Sequence, residues 1–282
     1  MAHDNTLWLV INKASGSHEQ ARMELVLGRL GEAGRMPVRT LDCHGDDMPD
    51  VAALIEAQVD TLAVHGGDGT INSVTTRLEG WHGQVLALPG GTANLLCSEL
   101  YGDLGIETIL DHFAAGSLQR RRIGGVACDS GFALAEILAG PGAKWADVRE
   151  DMRNHDLAAM VSNTIEAASQ SIAGPMVHVT DPKLGRAEGY AAIRLAPDAH
   201  TIMVEGYVAA TISDYLAQGA ALLRRNFREG PHDDLNSATL VQCRADSGDT
   251  IDLMIDGEQC RGSGTMTFRH HVLDLEFLGC PH

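Results

Sequence analysis

Apolar runs and helix-spaced apolar positions alternate along the first part of the chain. Leu7–Asn12 is a near-continuous apolar run and predicts a buried strand. A polar turn, Lys13–Ser17, follows it. His18–Leu30 then places Ala21, Leu25, Val26 and Leu30 on or near one helical face. The alternation continues with a strand at Met36–Leu41, a helix at Val51–Gln58, a strand at Thr61–Val64, a helix at Gly69–Leu78 and a strand at Val85–Leu88. Helices at Thr92–Leu100 and Ile106–Ala115 complete this part. Strands separated by helical segments predict a parallel, doubly wound α/β sheet.

The texture changes near Gly124. Strand-like runs now follow one another: Phe132–Leu138, Met176–Val179, Tyr190–Leu195, Thr201–Val208, Ala238–Cys243, Thr250–Ile255, Thr265–Phe268 and Val272–Phe277. Helical patterns interrupt them at about Asp151–Ala173 and Ser213–Phe227. This part reads as a mostly antiparallel β-sandwich domain. Arg120–Arg122 and the glycines that follow mark the boundary, giving an expected α/β domain at 1–122 and a β domain at 123–282.

Composition narrows the function classes. The 282 residues carry 21 basic and 38 acidic side chains, a net charge of −17, which argues against nucleic acid as a partner. Only Lys13, Lys144 and Lys183 are lysines, so an anionic ligand must be met by arginine, backbone N–H groups or a divalent cation. No apolar run approaches the ~20 residues of a membrane span. The first residues lack the pattern of a signal peptide, and the six cysteines form no C-x-x-C pair, so reduced thiols and a cytoplasmic location are expected. There is no H-E-x-x-H, and His270 and His271 would point to opposite faces of a strand.

The chemistry concentrates in three turns. His65–Thr70 (HGGDGT) lies between the third strand and a helix, where Gly66, Gly67 and Gly69 let backbone approach a phosphate and helix N–H groups face it. Asp68 beside a phosphate calls for a cation between them or for a proton. The bland alternative is a glycine turn with a capping carboxylate. Leu88–Asn94 (LPGGTAN) follows the fourth strand, with Thr92 as a helix N-cap that can also reach a nucleotide. Asn12–Gly16 follows the first strand. All three turns open on the carboxyl edge of one parallel sheet, the usual place for a ligand. Neither a Walker loop nor a G-x-G-x-x-G dinucleotide motif is present. Near the C-terminus stands Asp256-Gly257-Glu258. If the segment is extended, its two carboxylates share one face, suited to taking a proton from a hydroxyl; the alternative is a D-G hairpin turn with a solvated Glu.

In this combination and order the chain resembles the diacylglycerol kinase catalytic-domain family, which includes bacterial diacylglycerol kinases, sphingosine kinases and ceramide kinases. The motifs that carry the resemblance are Asn12 with Ser15 and Gly16, Gly66–Thr70 with Asn72, Gly91–Asn94, and Asp256–Glu258. The resemblance implies a nucleotide-binding α/β domain, a β-sandwich domain and an active site between them. It implies ATP contacts at Asn12, Ser15, Gly16, Thr40, Gly66, Gly67, Asp68, Gly69, Thr70, Asn72 and Thr92. Catalytic roles fall to Glu258, Asp256 and Asp68, with Mg²⁺ as the accompanying ion oriented through Asp68. A family metal loop in the β domain corresponds to Asp198–Ile202, with Asp198 as its remaining carboxylate. The chain departs from the family pattern at Lys13, where proline is usual, and at Leu95–Ser98.

The implied function is an ATP-dependent lipid kinase that phosphorylates a primary hydroxyl of diacylglycerol, ceramide or a sphingoid base. The expected setting is cytoplasmic and peripheral, at the inner membrane surface, without a transmembrane segment. A homodimer is one assembly considered; the sequence leaves the oligomeric state open. The alternatives weighed are an NAD kinase, which shares GGDGT but has no use for Asp256-Gly257-Glu258, and an inactive nucleotide- or lipid-binding regulator. Two arginine groups, Arg120–Arg122 and Arg224, Arg225 and Arg228, read as solvated surface or as footholds on anionic headgroups.

Overall fold

The computed structural model describes residues 6–12, 16–91, 93–145, 174–208, 232–246, 248 and 250–281, without the side chains of 16–20, 144 and 145. The chain forms two units. Met1–Ile123 and Val272–His282 make the first, and Gly124–His271 the second.

The first unit alternates strand and helix: β1 (Leu7–Ile11), α1 (Gly16–Glu32), β2 (Arg39–Asp42), α2 (Val51–Glu56), β3 (Thr61–Gly66), α3 (Asp68–Thr75), β4 (Gln84–Pro89), α4 (Leu95–Tyr101) and α5 (Ile106–Ala114). The strands pair in parallel, β2 with β1, β1 with β3 and β3 with β4. Every residue of β1 and β3 is buried, as expected of central strands covered on both faces. Asp50 starts α2 by accepting the N–H of Ala53 at 2.8 Å, an N-cap of the ordinary kind.

The second unit is antiparallel. After β5 (Gln119–Cys128) come β6 (Gly131–Ala133), β7 (Ile137–Ala139), β8 (Val177–Asp181), β9 (Lys183–Leu184), β10 (Ala192–Pro197), β11 (Ile202–Tyr207), β12 (Asp233–Ala238), β13 (Leu240–Ala245), β14 (Thr250–Ile255), β15 (Glu258–Ser263) and β16 (Thr265–Gly279). One sheet has the order β12-β11-β10-β7-β14-β15. In the other, β13 pairs with β8 and with residues 265–269 of β16. Alternate residues of both sheets, among them Ile137, Ile193, Leu195, Val204, Leu253, Val241 and Phe268, share one apolar core.

Three local expectations change. Thr265–Phe268 and Val272–Phe277 are one strand, and its last part returns to the first unit, pairing in parallel with β4 at Glu276↔Gln84 and Phe277↔Val85. Residues 272–282 therefore lie with the α/β unit. The single strand expected at Phe132–Leu138 is broken into β6 and β7 by Leu134–Glu136, whose N–H groups bond to Asp256. The segment read as a boundary is strand β5, and the two units divide within it, between Ile123 and Gly124. Its glycines are required there, since a Cβ on Gly125 would lie 2.5 Å from the Ala133 carbonyl oxygen. The helices expected at 151–173 and 213–227 lie outside the described residues, as do Arg224, Arg225 and Arg228.

Candidate active site

The carboxyl edge of the first unit's sheet gathers the glycine turns. β3 ends at Gly66 and α3 begins at Asp68; β4 ends at Pro89 and α4 begins at Leu95. The two turns touch backbone to backbone. Gly90 N–H donates to the Gly66 carbonyl at 2.9 Å. A Cβ on Gly91 would lie 2.6 Å from Gly67 Cα, and one on Gly90 would lie 3.0 Å from Gly66 Cα. The glycines at these positions thus have a packing reason as well as the phosphate reason read from the sequence.

Asn94 shapes the second turn. Its backbone is left-handed, φ 49°, a conformation Asn tolerates better than most residues. Its side chain folds back, Oδ1 accepting the Gly91 N–H at 2.7 Å and Nδ2 donating to the Gly91 carbonyl at 2.8 Å. The helix consequently begins at Leu95, later than the expected start at Thr92. Thr92 and Ser15 lie outside the described residues, and Gly16 opens α1.

Asp68 is buried, 8% exposed, at the first position of α3. Its Oδ1 accepts the Leu96 N–H at 3.0 Å, so the carboxylate meets the amino ends of two helices. Beside it, the Cys97 thiol is pushed far up, by burial first and by the Asp68 charge second. Asn72 lies on the same helix, also buried.

Asn12, just past β1, connects these turns to the second strand. Its Nδ2 donates to Thr70 Oγ1 at 3.1 Å, and His44 Nε2 stands 3.1 Å from its Oδ1. His44 follows β2 and was not among the residues picked out from the sequence. The signal available was its place just beyond the carboxyl end of a strand that adjoins β1. Thr40 is exposed within β2, paired with Leu9.

In the second unit, Asp256 and Gly257 are the two central residues of the β14–β15 hairpin, both with positive φ, 47° and 95°. That is the turn geometry a D-G pair favours. Asp256 and Glu258 therefore do not share the face of an extended strand. Asp256 is buried, and its carboxylate accepts the N–H groups of Leu134, Ala135 and Glu136 at 2.7, 2.9 and 2.9 Å. Glu258 begins β15 and is exposed.

Behind the hairpin the Glu136 side chain is 5% exposed and accepts from Arg194 Nε at 2.7 Å. Arg194 also donates to Glu205 at 3.0 Å, and Tyr207 donates to the same carboxylate at 2.8 Å. Burial works against the Arg194 charge, but Glu136 and Glu205 more than offset it and hold its pKa above the usual value. Tyr207 is pushed up by burial and by Glu205.

Other candidates have ordinary surroundings. Asp198 is exposed in the β10–β11 connection, its N–H donating to Thr201 O and its own carbonyl lying 3.0 Å from His270 Nε2. Among the described residues no group of three or more His, Cys, Asp or Glu side chains is gathered to hold a metal. His271 packs edge-on to Phe132. Arg120 pairs with Glu276 at 2.7 Å and Arg122 with Asp274 at 2.8 Å, so these two cations are neutralised within the first unit. Among the described residues, no helix is long and apolar enough to cross a membrane.

Comparison with known proteins agrees with the resemblance read from the motifs. Residues 6–126 match the family model described as the diacylglycerol kinase catalytic domain. Comparison with curated proteins finds no match. Among solved structures, a diacylglycerol kinase from Bacillus anthracis str. Sterne superposes with a TM-score of 0.63 at 15% identity, covering 98% of this chain and 97% of its own. Two further structures from the same organism superpose with TM-scores of 0.61, at 14% and 15% identity; both cover 98% of this chain, and 96% and 98% of their own. At these identities the likeness establishes the fold: an α/β unit with a parallel sheet and an antiparallel β unit.

Proposed function

We propose that the protein is an ATP-dependent lipid kinase that transfers the γ-phosphoryl group to a primary hydroxyl of diacylglycerol, ceramide or a sphingoid base. The observation that carries this reading is the coincidence of the kinase family match at 6–126 with the glycine turns and the Asn12–Thr70 contact at one sheet edge. Phosphoryl transfer needs positioning and charge neutralisation more than covalent chemistry. Gly66, Gly67 and Gly69 admit the phosphates, the α3 N–H groups face them, and Asn12, Thr70 and Thr92 supply further donors. Ser15, Gly16, Thr40 and Asn72 complete the proposed nucleotide contacts.

Mg²⁺ bound with ATP would supply charge neutralisation. The donor set fits an ion carried on phosphates with one carboxylate, Asp68, better than an all-protein cage. Asp198, with no carboxylates gathered around it among the described residues, fits a turn role better than a structural metal site. Glu258 accepts the hydroxyl proton in this reading. Asp256, with both oxygens already engaged by backbone N–H groups, holds the hairpin from which Glu258 projects. The lipid brings the enzyme to the inner membrane surface as a peripheral protein.

The test is a screen of detergent-dispersed diacylglycerol, ceramide, sphingosine and, as the competing acceptor, NAD, each with γ-labelled ATP and Mg²⁺. Label entering one lipid supports the reading. Label entering NAD alone, or ATP binding with no acceptor phosphorylated, overturns it.

A further inference from the structure

We infer that His44 is a positioning residue of the nucleotide site: it fixes the amide of Asn12 so that Thr70 presents its hydroxyl hydrogen to a phosphate. The inference rests on the ATP reading above and extends it to a residue outside the family motifs.

The topology brings the three residues together. β2, β1 and β3 are adjacent and parallel. Asn12 follows β1, His44 lies two residues beyond β2, and Thr70 sits in the first turn of the helix after β3. All three therefore stand at one edge.

Their hydrogen bonds have a direction. An amide oxygen only accepts, so the contact from His44 Nε2 to Asn12 Oδ1 requires a hydrogen on Nε2. The neutral Nε2–H tautomer and the imidazolium both provide it. With Oδ1 turned to His44, Nδ2 faces Thr70, and an amide nitrogen only donates. Thr70 Oγ1 is then the acceptor, and its own hydrogen points away from Asn12. Donation runs from His44 to Asn12 to Thr70 and ends on an O–H group. An anion needs such an ending.

The first member of the chain is itself anchored. His44 N–H donates to Asp42 Oδ1 at 3.1 Å, Asp42 N–H donates to Asp46 Oδ2 at 2.7 Å, and Asp46 N–H returns to the Asp42 carbonyl at 2.9 Å. The last member is closely seated too: a Cβ on Gly66 would come within 2.7 Å of Thr70 Cβ. Removing the His44 donor takes away one of the contacts that hold the Asn12 amide in this sense. In the opposite sense its oxygen would take the Thr70 hydrogen, and the site would offer an acceptor where a phosphate requires a donor.

The experiment is calorimetric titration of MgATP into the wild type, His44→Phe, His44→Gln, Asn12→Ala and the His44→Phe/Asn12→Ala pair, with the thermal midpoint of each variant recorded. Loss of one orienting hydrogen bond should weaken ATP binding by roughly 3- to 10-fold in His44→Phe. His44→Gln, which keeps an N–H donor, should recover much of it. In the Asn12→Ala background, His44→Phe should have no further effect. Equal ATP affinity in wild type and His44→Phe overturns the positioning role alone. Additive losses in the double variant overturn it as well, because His44 would then act on the nucleotide directly. Absence of ATP binding by the wild type overturns the nucleotide reading and this inference with it.

Discussion

Gly91 stands against Gly67 so closely that a methyl group on Gly91 would sit 2.6 Å from Gly67 Cα, whereas one on Gly67 would keep an ordinary 3.4 Å from Gly91 Cα. Two adjacent glycines on facing turns therefore carry unequal demands. Gly91→Ala must push the β4–α4 turn off the β3–α3 turn, and overpacking of this kind costs about 1–3 kcal/mol. The thermal midpoint should fall by several degrees and ATP binding should weaken sharply. Gly67→Ala should leave the midpoint within about a degree of wild type, the size of a tolerated surface change. Differential scanning fluorimetry of both variants, with and without MgATP, checks the asymmetry.

Asp68 combines a fold role with its proposed chemical one. Asp68→Ala removes the acceptor of the buried Leu96 N–H and should cost about 1–3 kcal/mol of stability. Asp68→Asn retains an oxygen acceptor and should lose less. If the carboxylate also orients the phosphate-bound cation, both variants should lose 10²-fold or more in kcat, the order expected when an electrostatic positioning group is removed. Denaturant melts and kinase assays on the same preparations separate the two effects. Asp68→Asn with near-wild-type turnover would remove Asp68 from the chemistry.

The hairpin carboxylates should part company. Glu258 is exposed and makes its proposed contribution only in the reaction, so Glu258→Gln should keep the midpoint and ATP affinity while lowering kcat by roughly 10²–10⁴-fold. Asp256→Asn should behave differently, because one end of the amide is a donor facing backbone N–H groups. It should unfold at lower denaturant and lose activity in consequence. Chevron or equilibrium melts of the two variants, paired with kcat, distinguish them. A Glu258→Gln enzyme with normal kcat would return that residue to the solvated surface.

Arg194 and Glu136 form a buried pair whose members cannot be removed singly without cost. Arg194→Met leaves Glu136 and Glu205 without their shared cation and should destabilise by about 3–5 kcal/mol. The combined Arg194→Met/Glu136→Gln/Glu205→Gln variant should regain most of this. Urea melts across the set measure it; equal stability of the single and triple variants would show that the charges, once separated, reach solvent.

Much of the first unit is legible in the sequence because its strands β1, β3 and β4 are buried on both faces and therefore read as near-unbroken apolar runs. The glycine turns are legible for the same reason: they interrupt those runs at fixed places. The second unit is less so. β15 is Glu258–Ser263, on the edge of its sheet, with Cys260 as its one apolar side chain and so no apolar alternation to betray it. β5 opens on Gln119 and three arginines and holds Gly124 and Gly125, so the sequence shows the division of the units there but not the strand; the neighbours at His270 and Phe132 explain those glycines. Leu134–Glu136 looks like the middle of a strand because the carboxylate that takes its N–H groups lies some 120 residues away. His44 was hidden in a polar turn, and its relation to Asn12 depends on the pairing of β1 with β2.

The closing strand gives the protein an unusual order of assembly. Residues 272–282 follow the antiparallel unit along the chain, yet they complete the sheet that residues 7–89 begin. On the ribosome, the edge of β4 waits for its neighbour until the whole antiparallel unit has emerged. The α/β unit is thus begun before the antiparallel unit and finished only after it, and a fragment stopped after Ile123 would display an open strand edge of the kind that invites aggregation.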